Sequence, residues 1–264
     1  MKIDAKNFSL PIKEVLADCP DLYQYTKANK IDLGNPLALR AYNICLFKIL
    51  ENVIIELPES NLIPTCGLRR SIVHVILEIT NLKLNDRIIE IGTGASAIIA
   101  MLFAKKGFNN IIATDINHES LIIAEKQLKI NNLQDSITLM KSSGGIVNWL
   151  KDKFPVQCLV SLPPYYSSES IIIGQKRGFL GVDSELYSHG SAEDFSLQLI
   201  NEWLENIVNT NYLCILWKNK LALDKGLIFL DQNKQSLEIN VQIVEIKAGN
   251  RSRYLSIFSP IIII

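Results

Sequence analysis

Cysteine is scarce and dispersed in this 264-residue chain. Cys19, Cys45, Cys66, Cys158 and Cys214 form no Cys-x-x-Cys pair, and none has a histidine at ligand spacing. That pattern argues against a disulfide framework and a zinc site; reduced thiols, no bound metal and a cytoplasmic setting are expected. Long apolar runs are missing too. The opening residues carry no continuous apolar core of the signal-peptide kind. The terminal Ile261-Ile262-Ile263-Ile264 falls far short of the roughly 20 residues that a membrane span needs. A soluble protein with no membrane partner is expected. An excess of one charge is also absent, since 27 Lys+Arg balance 27 Asp+Glu. A polyanion would therefore be held only by a local cluster of cations. No internal repeat is present, and the 48% hydrophobic content supplies a core, which excludes global disorder.

The chain has two textures. Residues 1–70 read as a small helical module: Pro36 opens an apolar pattern at helical spacing through Leu50, and Asn61 to Gly67 reads as a connecting loop. A second helix is predicted over Arg69–Asn81. Residues 71–264 form the larger domain, in which strands and helices alternate from Asp86 onward. Strands are predicted at Arg87–Ile91, Asn110–Asp115, Ile137–Met140 and Val156–Ser161, with helices at Ala95–Lys106 and His118–Asn131. A helix near Phe195–Val208 and strands at Tyr212–Trp217, Ile239–Ile246 and Tyr254–Phe258 complete the set. This order predicts an α/β fold with a doubly wound, mostly parallel sheet and a ligand beyond the carboxyl ends of its strands. Residues 167–192, rich in Ser, Gly and charge, form a long connection of the kind that usually carries function.

Two segments carry the chemistry. Ile88-Ile89-Glu90-Ile91-Gly92-Thr93-Gly94-Ala95-Ser96 reads as a buried strand entering a turn whose glycines permit close approach of a ligand. Glu90 suits the ammonium of a methionine moiety or an orienting role in the turn. Asp115, at the end of the next strand, suits a pair of ribose hydroxyls. Ser142 or Ser143 is placed to contact adenine. Ala97 stands where a dinucleotide fingerprint has its third glycine, which favours S-adenosylmethionine over NAD. The second segment, Cys158-Leu159-Val160-Ser161-Leu162-Pro163-Pro164-Tyr165, ends a strand in a stiff corner. The prolines keep their carbonyls and lack N–H groups. Tyr165 offers a ring for a flipped base. Amine methylation needs alignment more than a strong base.

Five stretches stand out: Cys19-Pro20-Asp21-Leu22, Leu33 to Ala41, Leu62-Ile63-Pro64-Thr65-Cys66-Gly67-Leu68-Arg69 with His74, Ile91-Gly92-Thr93-Gly94-Ala95-Ser96, and Gly249 to Leu255. Together they resemble one family, the adenine-N6 RNA methyltransferases typified by the bacterial large-subunit rRNA methyltransferase F and the eukaryotic U6 small nuclear RNA methyltransferase. The resemblance implies a Rossmann-like class I methyltransferase with an N-terminal RNA-binding module. S-adenosylmethionine would be the donor and structured RNA, ribosomal or small, the substrate. By position, Arg69, Gly92 and Asp115 line the cofactor site, and Glu90, Gly94 and Ser143 join them from the residue reading. Arg253 matches an RNA-contacting arginine, with Arg251 beside it, and Lys176 and Arg177 lie in the long connection where the family also touches RNA. The protein is taken as a monomer.

One residue departs from the family. Leu162 stands where Asn or Asp precedes Pro-Pro-aromatic, in a catalytic corner otherwise formed by Pro163, Pro164 and Tyr165. Two alternatives follow. One is a catalytically silent SAM- and RNA-binding relative; the other is a protein glutamine methyltransferase, whose corner is similar.

Overall fold

A computed structural model describes residues 1–27, 30–143, 145, 147–148, 155–164, 166–167, 187–188 and 192–261. The chain starts with β1 (Lys2–Asp4), a 3-10 turn (Ala5–Phe8), α1 (Ile12–Asp18) and a second 3-10 turn (Pro20–Tyr25). Short strands β2 (Thr26–Lys27) and β3 (Lys30–Ile31) lead to α2 (Pro36–Glu51) and α3 (Cys66–Ile79). The alternating part comprises β4 (Ile88–Ile91), α4 (Ile98–Lys105), β5 (Ile111–Asp115), α5 (His118–Asn131), β6 (Ile137–Lys141) and β7 (Val156–Ser161). After β8 (Tyr166–Ser167) and β9 (Tyr187–Ser188) come α6 (Ala192–Glu205), β10 (Thr210–Trp217), α7 (Lys220–Asn233), β11 (Ile239–Ala248) and β12 (Arg251–Pro260).

Eight of the described strands form one sheet in the order β1-β11-β12-β10-β7-β4-β5-β6. Only β12 runs antiparallel to its neighbours; the remaining pairings are parallel. From β4 the chain steps outward to β5 and β6, then returns to β7 on the other side. That reversal is the switch point where an open α/β sheet leaves a crevice. The doubly wound, Rossmann-like architecture is therefore as expected.

Alternating strand residues feed two cores. Ile88, Ala113, Cys158 and Val160 pack with α2 to α5 and the N-terminal segment. Ile89, Ile112, Leu159, Ile215 and Trp217 pack with Trp203 of α6 and Leu223 and Leu230 of α7. This period-2 division puts Glu90 and Leu162 toward the N-terminal side, and Ile91 and Ser161 toward the other.

Local chemistry sets the element boundaries. Asn35 caps α2 by accepting from Leu37 N–H, and Asn52 ends it in the left-handed region at φ 49. Asn117 caps α5 in the same way. The helix expected from Ala95 begins instead at Ile98, because Ala97 adopts φ 46 and breaks the run. The helix expected from Arg69 begins earlier, at Cys66, whose N–H donates to Asn43 Oδ1 of α2 at 2.8 Å. Helix α7 was not anticipated.

Side chains join the N-terminal helices to the sheet domain. Buried Glu51, at the end of α2, pairs with Arg70 of α3 and with Lys106 at 3.1 Å. Arg70 also donates to the Phe8 carbonyl. Asn131 and Gln127 of α5 present amides to the backbone of Ile54 and Glu56, each both donating and accepting. They mimic a neighbouring strand and hold Val53, Ile55 and Leu57 in the core.

Candidate active site

The turn after β4 is held by the strand beside it. Gly92 and Thr93 N–H both donate to the Thr114 carbonyl, at 2.9 and 2.8 Å. Gly94 N–H donates to Asp115 Oδ2 at 2.8 Å, and Asn117 N–H to Oδ1 at 2.8 Å. Asp115 thus latches the turn while facing the cleft. Burial raises its pKa, and those hydrogen bonds oppose the rise. Glu90 is buried beneath the turn, its Oε2 accepting from Thr93 Oγ1 at 2.6 Å and Ala100 N–H at 3.0 Å. Burial pushes its carboxyl up to about 7, against these bonds and the positive charge of Arg69.

These groups line a cleft of about 450 Å³ together with Ser142, Ser143, Gly145, Ile116 and, from α6, Asp194, Phe195 and Gln198. All six residues expected at the cofactor, Arg69, Glu90, Gly92, Gly94, Asp115 and Ser143, are among its lining. Gly92 and Gly94 adopt φ +75 and +63, and a Cβ added at either would meet no atom within 4 Å. The space over the turn is thus open to a ligand. Open space, the buried carboxyl of Glu90, the half-buried one of Asp115 and an apolar wall at exposed Ile116 suit a nucleoside carrying an amino acid. The residues present fit S-adenosylmethionine.

A second cavity of about 830 Å³ lies between the N-terminal helices and the sheet. Leu62, Arg69, Leu162, Pro163 and Pro164 line both spaces, so the proline corner is their shared wall. Its cations are Lys6, Arg40, Arg69, Arg251 and Arg253, and no carboxylate is among its described lining residues. Arg253 donates to the Lys218 carbonyl at 2.6 Å. Arg40 is turned inward, donating to the carbonyls of Leu57, Pro58 and Asn61. Ser161 Oγ donates to the Ile91 carbonyl at 3.1 Å, on the face opposite Leu162. Tyr165, Lys176 and Arg177 lie outside the described residues.

Sequence reasoning missed Lys6, Arg40, Ile116 and the α6 residues. Only Ile116 carried a local signal, as an apolar residue directly after the strand-ending acid.

The sequence model of a family described as RNA methyltransferase matches residues 10–178. A Methanocaldococcus jannaschii protein, named provisionally as a methyltransferase, is 31% identical over 242 residues, covering 88% of this chain and 91% of that protein. The human RNA N(6)-adenosine-methyltransferase METTL16 is 30% identical over 132 residues, which is 46% of this chain and 24% of the human one. The Dictyostelium discoideum U6 small nuclear RNA (adenine-(43)-N(6))-methyltransferase is 41% identical over 248 residues, 76% of this chain and 43% of that protein. The chain thus spans less than half of these eukaryotic relatives. The crystal structure of the human METTL16 catalytic domain with a MAT2A 3′UTR hairpin superposes with a TM-score of 0.82 at 22% identity, covering 94% of this chain and 90% of that one. The human N-terminal domain in complex with SAH gives 0.77 at 21% identity, covering 96% and 95%. The chain belongs to this family of RNA methyltransferases.

Proposed function

We propose that the protein methylates the exocyclic N6 of an adenine in structured RNA, ribosomal or small. The observation that carries this reading is a cation-lined cavity that shares the Leu162–Pro164 wall with the cofactor cleft. Bound S-adenosylmethionine supplies an electrophilic methyl group. Glu90 holds its ammonium, Asp115 its ribose hydroxyls, and Ser143 and Ile116 flank its adenine. Lys6, Arg251 and Arg253 attract phosphates, supplying the local patch that zero net charge requires. Lys176 and Arg177 add to this contact. The target base leaves its stack and enters the cavity, where Tyr165 stacks on it. A backbone carbonyl of the Pro163–Pro164 corner accepts a hydrogen bond from one amine N–H and turns the lone pair toward the cleft. Residues 1–70 act as the RNA-binding module and residues 71–264 as the methyltransferase domain, in a cytoplasmic monomer. Among the described residues, no helix is long and apolar enough to cross a membrane.

Leu162 favours a second reading, in which the fold binds SAM and RNA without turnover. A leucine leaves one amine proton without a side-chain acceptor, at a cost of roughly 1–3 kcal/mol. If felt in the transition state, that is about a ten- to hundredfold loss of rate. The variant L162N separates the readings. A slow wild type accelerated by that factor supports catalysis through the proline carbonyls, whereas a silent wild type with an active variant supports the silent relative. Failure of both proteins to methylate RNA while binding SAM sinks the RNA substrate. Methylation of protein glutamine instead would favour the third alternative, against which the family match through the N-terminal helices stands.

A further inference from the structure

Helix α6 forms one wall of the cofactor cleft through Asp194, Phe195 and Gln198, while Ser142, Ser143 and Gly145, after β6, form another. A single carboxylate outside the cleft's lining joins the two. Glu202, one turn beyond Gln198 and 3% exposed, accepts from Val147 N–H at 2.5 Å and Asn148 N–H at 3.1 Å through Oε2. Its Oε1 accepts from Gln198 Nε2 at 2.7 Å. Gly145 passes so close that a Cβ there would lie 3.1 Å from Oε1. One turn further on, Asn206 Nδ2 donates to Asn148 Oδ1 at 3.1 Å and to the Glu202 carbonyl at 2.7 Å. Two backbone donors thus converge on one oxygen of this side chain. Gly145 and Gln198 both face the cleft, so the carboxylate acts on the ligand space from behind each of them.

We propose that Glu202 is a positioning residue for the adenosine half of the cofactor, holding Gly145, Val147 and Asn148 against α6 at the separation a nucleoside fills. The proposal rests on the reading of the cleft as the S-adenosylmethionine site. It accounts for a buried carboxylate on a helix that the transfer itself does not use. A glutamine at this position keeps one oxygen for Val147 and Asn148, and Gln198 can turn its amide to accept from the new one. An alanine keeps neither.

Calorimetric titration of S-adenosylmethionine into wild type, E202Q and E202A tests this, beside hydrogen exchange at the Val147 and Asn148 amides. A wild type that binds no S-adenosylmethionine refutes the cofactor reading itself. With binding present, E202A should raise Kd by roughly ten- to hundredfold and E202Q by only a few fold. In wild type, the cofactor should slow exchange at those two amides and leave the β11–β12 hairpin unchanged. This last readout does not depend on either variant folding. Equal affinities across the three proteins, or no cofactor-linked protection in wild type, overturns the proposal. A Kd rise in E202A matched by an equal rise in E202Q also overturns it, since rescue by the retained oxygen would then be missing.

Discussion

Replacing Glu90 with glutamine should stabilise the free protein at alkaline pH while weakening its hold on S-adenosylmethionine. Glu90 is 4% exposed, and burial lifts its carboxyl to about 7, above its ordinary 4.5. Between those values the folded chain carries a proton that the unfolded chain lacks. Its contribution to stability is therefore greatest at low pH, falls as pH climbs from about 4.5 to 7, and is flat beyond. The full fall corresponds to roughly 3 kcal/mol, an upper figure because the interior relaxes around the charge. Glutamine has no such proton to lose and keeps an oxygen for Ala100 N–H. Thermal melts of E90Q should therefore match wild type near pH 5 and exceed it near pH 8. Affinity runs the other way. An ammonium facing the ionised carboxylate favours the charged form, so S-adenosylmethionine should bind wild type more tightly as pH rises through 7 and displace a proton. Loss of that charged hydrogen bond in E90Q should cost roughly 1.5–3 kcal/mol at pH 8, read as about a ten- to hundredfold rise in Kd. Titrations in buffers of different ionisation enthalpy count the proton. If wild type releases none, and E90Q binds as tightly at pH 8, Glu90 does not face the ammonium.

Two glycine substitutions test other contacts. In G67A, a Cβ would lie 2.6 Å from the Ala5 carbonyl oxygen, pressing the Ala5–Phe8 turn off α3. Overpacking of about 1–3 kcal/mol outweighs the roughly 1 kcal/mol gained in helix propensity. A modest loss of melting temperature with weakened RNA binding and unchanged S-adenosylmethionine affinity is expected; equal loss of both would show that the cavity and cleft are not separable. In G226A, the new Cβ would lie 2.3 Å from the Trp217 ring, which is anchored by Nε1 donating to Ser256 Oγ at 2.8 Å. Denaturant titration should show destabilisation of about 1–3 kcal/mol, and a neutral result would mean that α7 can shift off the sheet.

The central sheet was legible because its signals are local. Val156–Ser161 is a buried apolar run, and α5 spans His118–Asn131 behind its Asn117 cap, both with the boundaries expected. Glu90, Gly92, Gly94 and Asp115 were legible because one strand–turn unit and the next strand's end hold them all. Contacts distant in sequence set the rest. Strand β1 is three residues long and exists through its pairing with Glu245, Ile246 and Lys247. Helix α7 exposes Leu221 and Ile228 beside buried Leu223 and Leu230, which blurs its apolar period. Nothing near Asn43 or Glu202 announces that each serves the backbone of another element. Leu162 was legible as a departure, and its position between the two spaces came from the structure.

The most direct test of the account is transfer of labelled methyl from S-adenosylmethionine to unmodified ribosomal and small RNAs, followed by nucleoside mass spectrometry. The account predicts N6-methyladenosine, formed slowly by wild type and faster by L162N. No methylated adenosine from either protein, with S-adenosylmethionine binding confirmed separately, would contradict it.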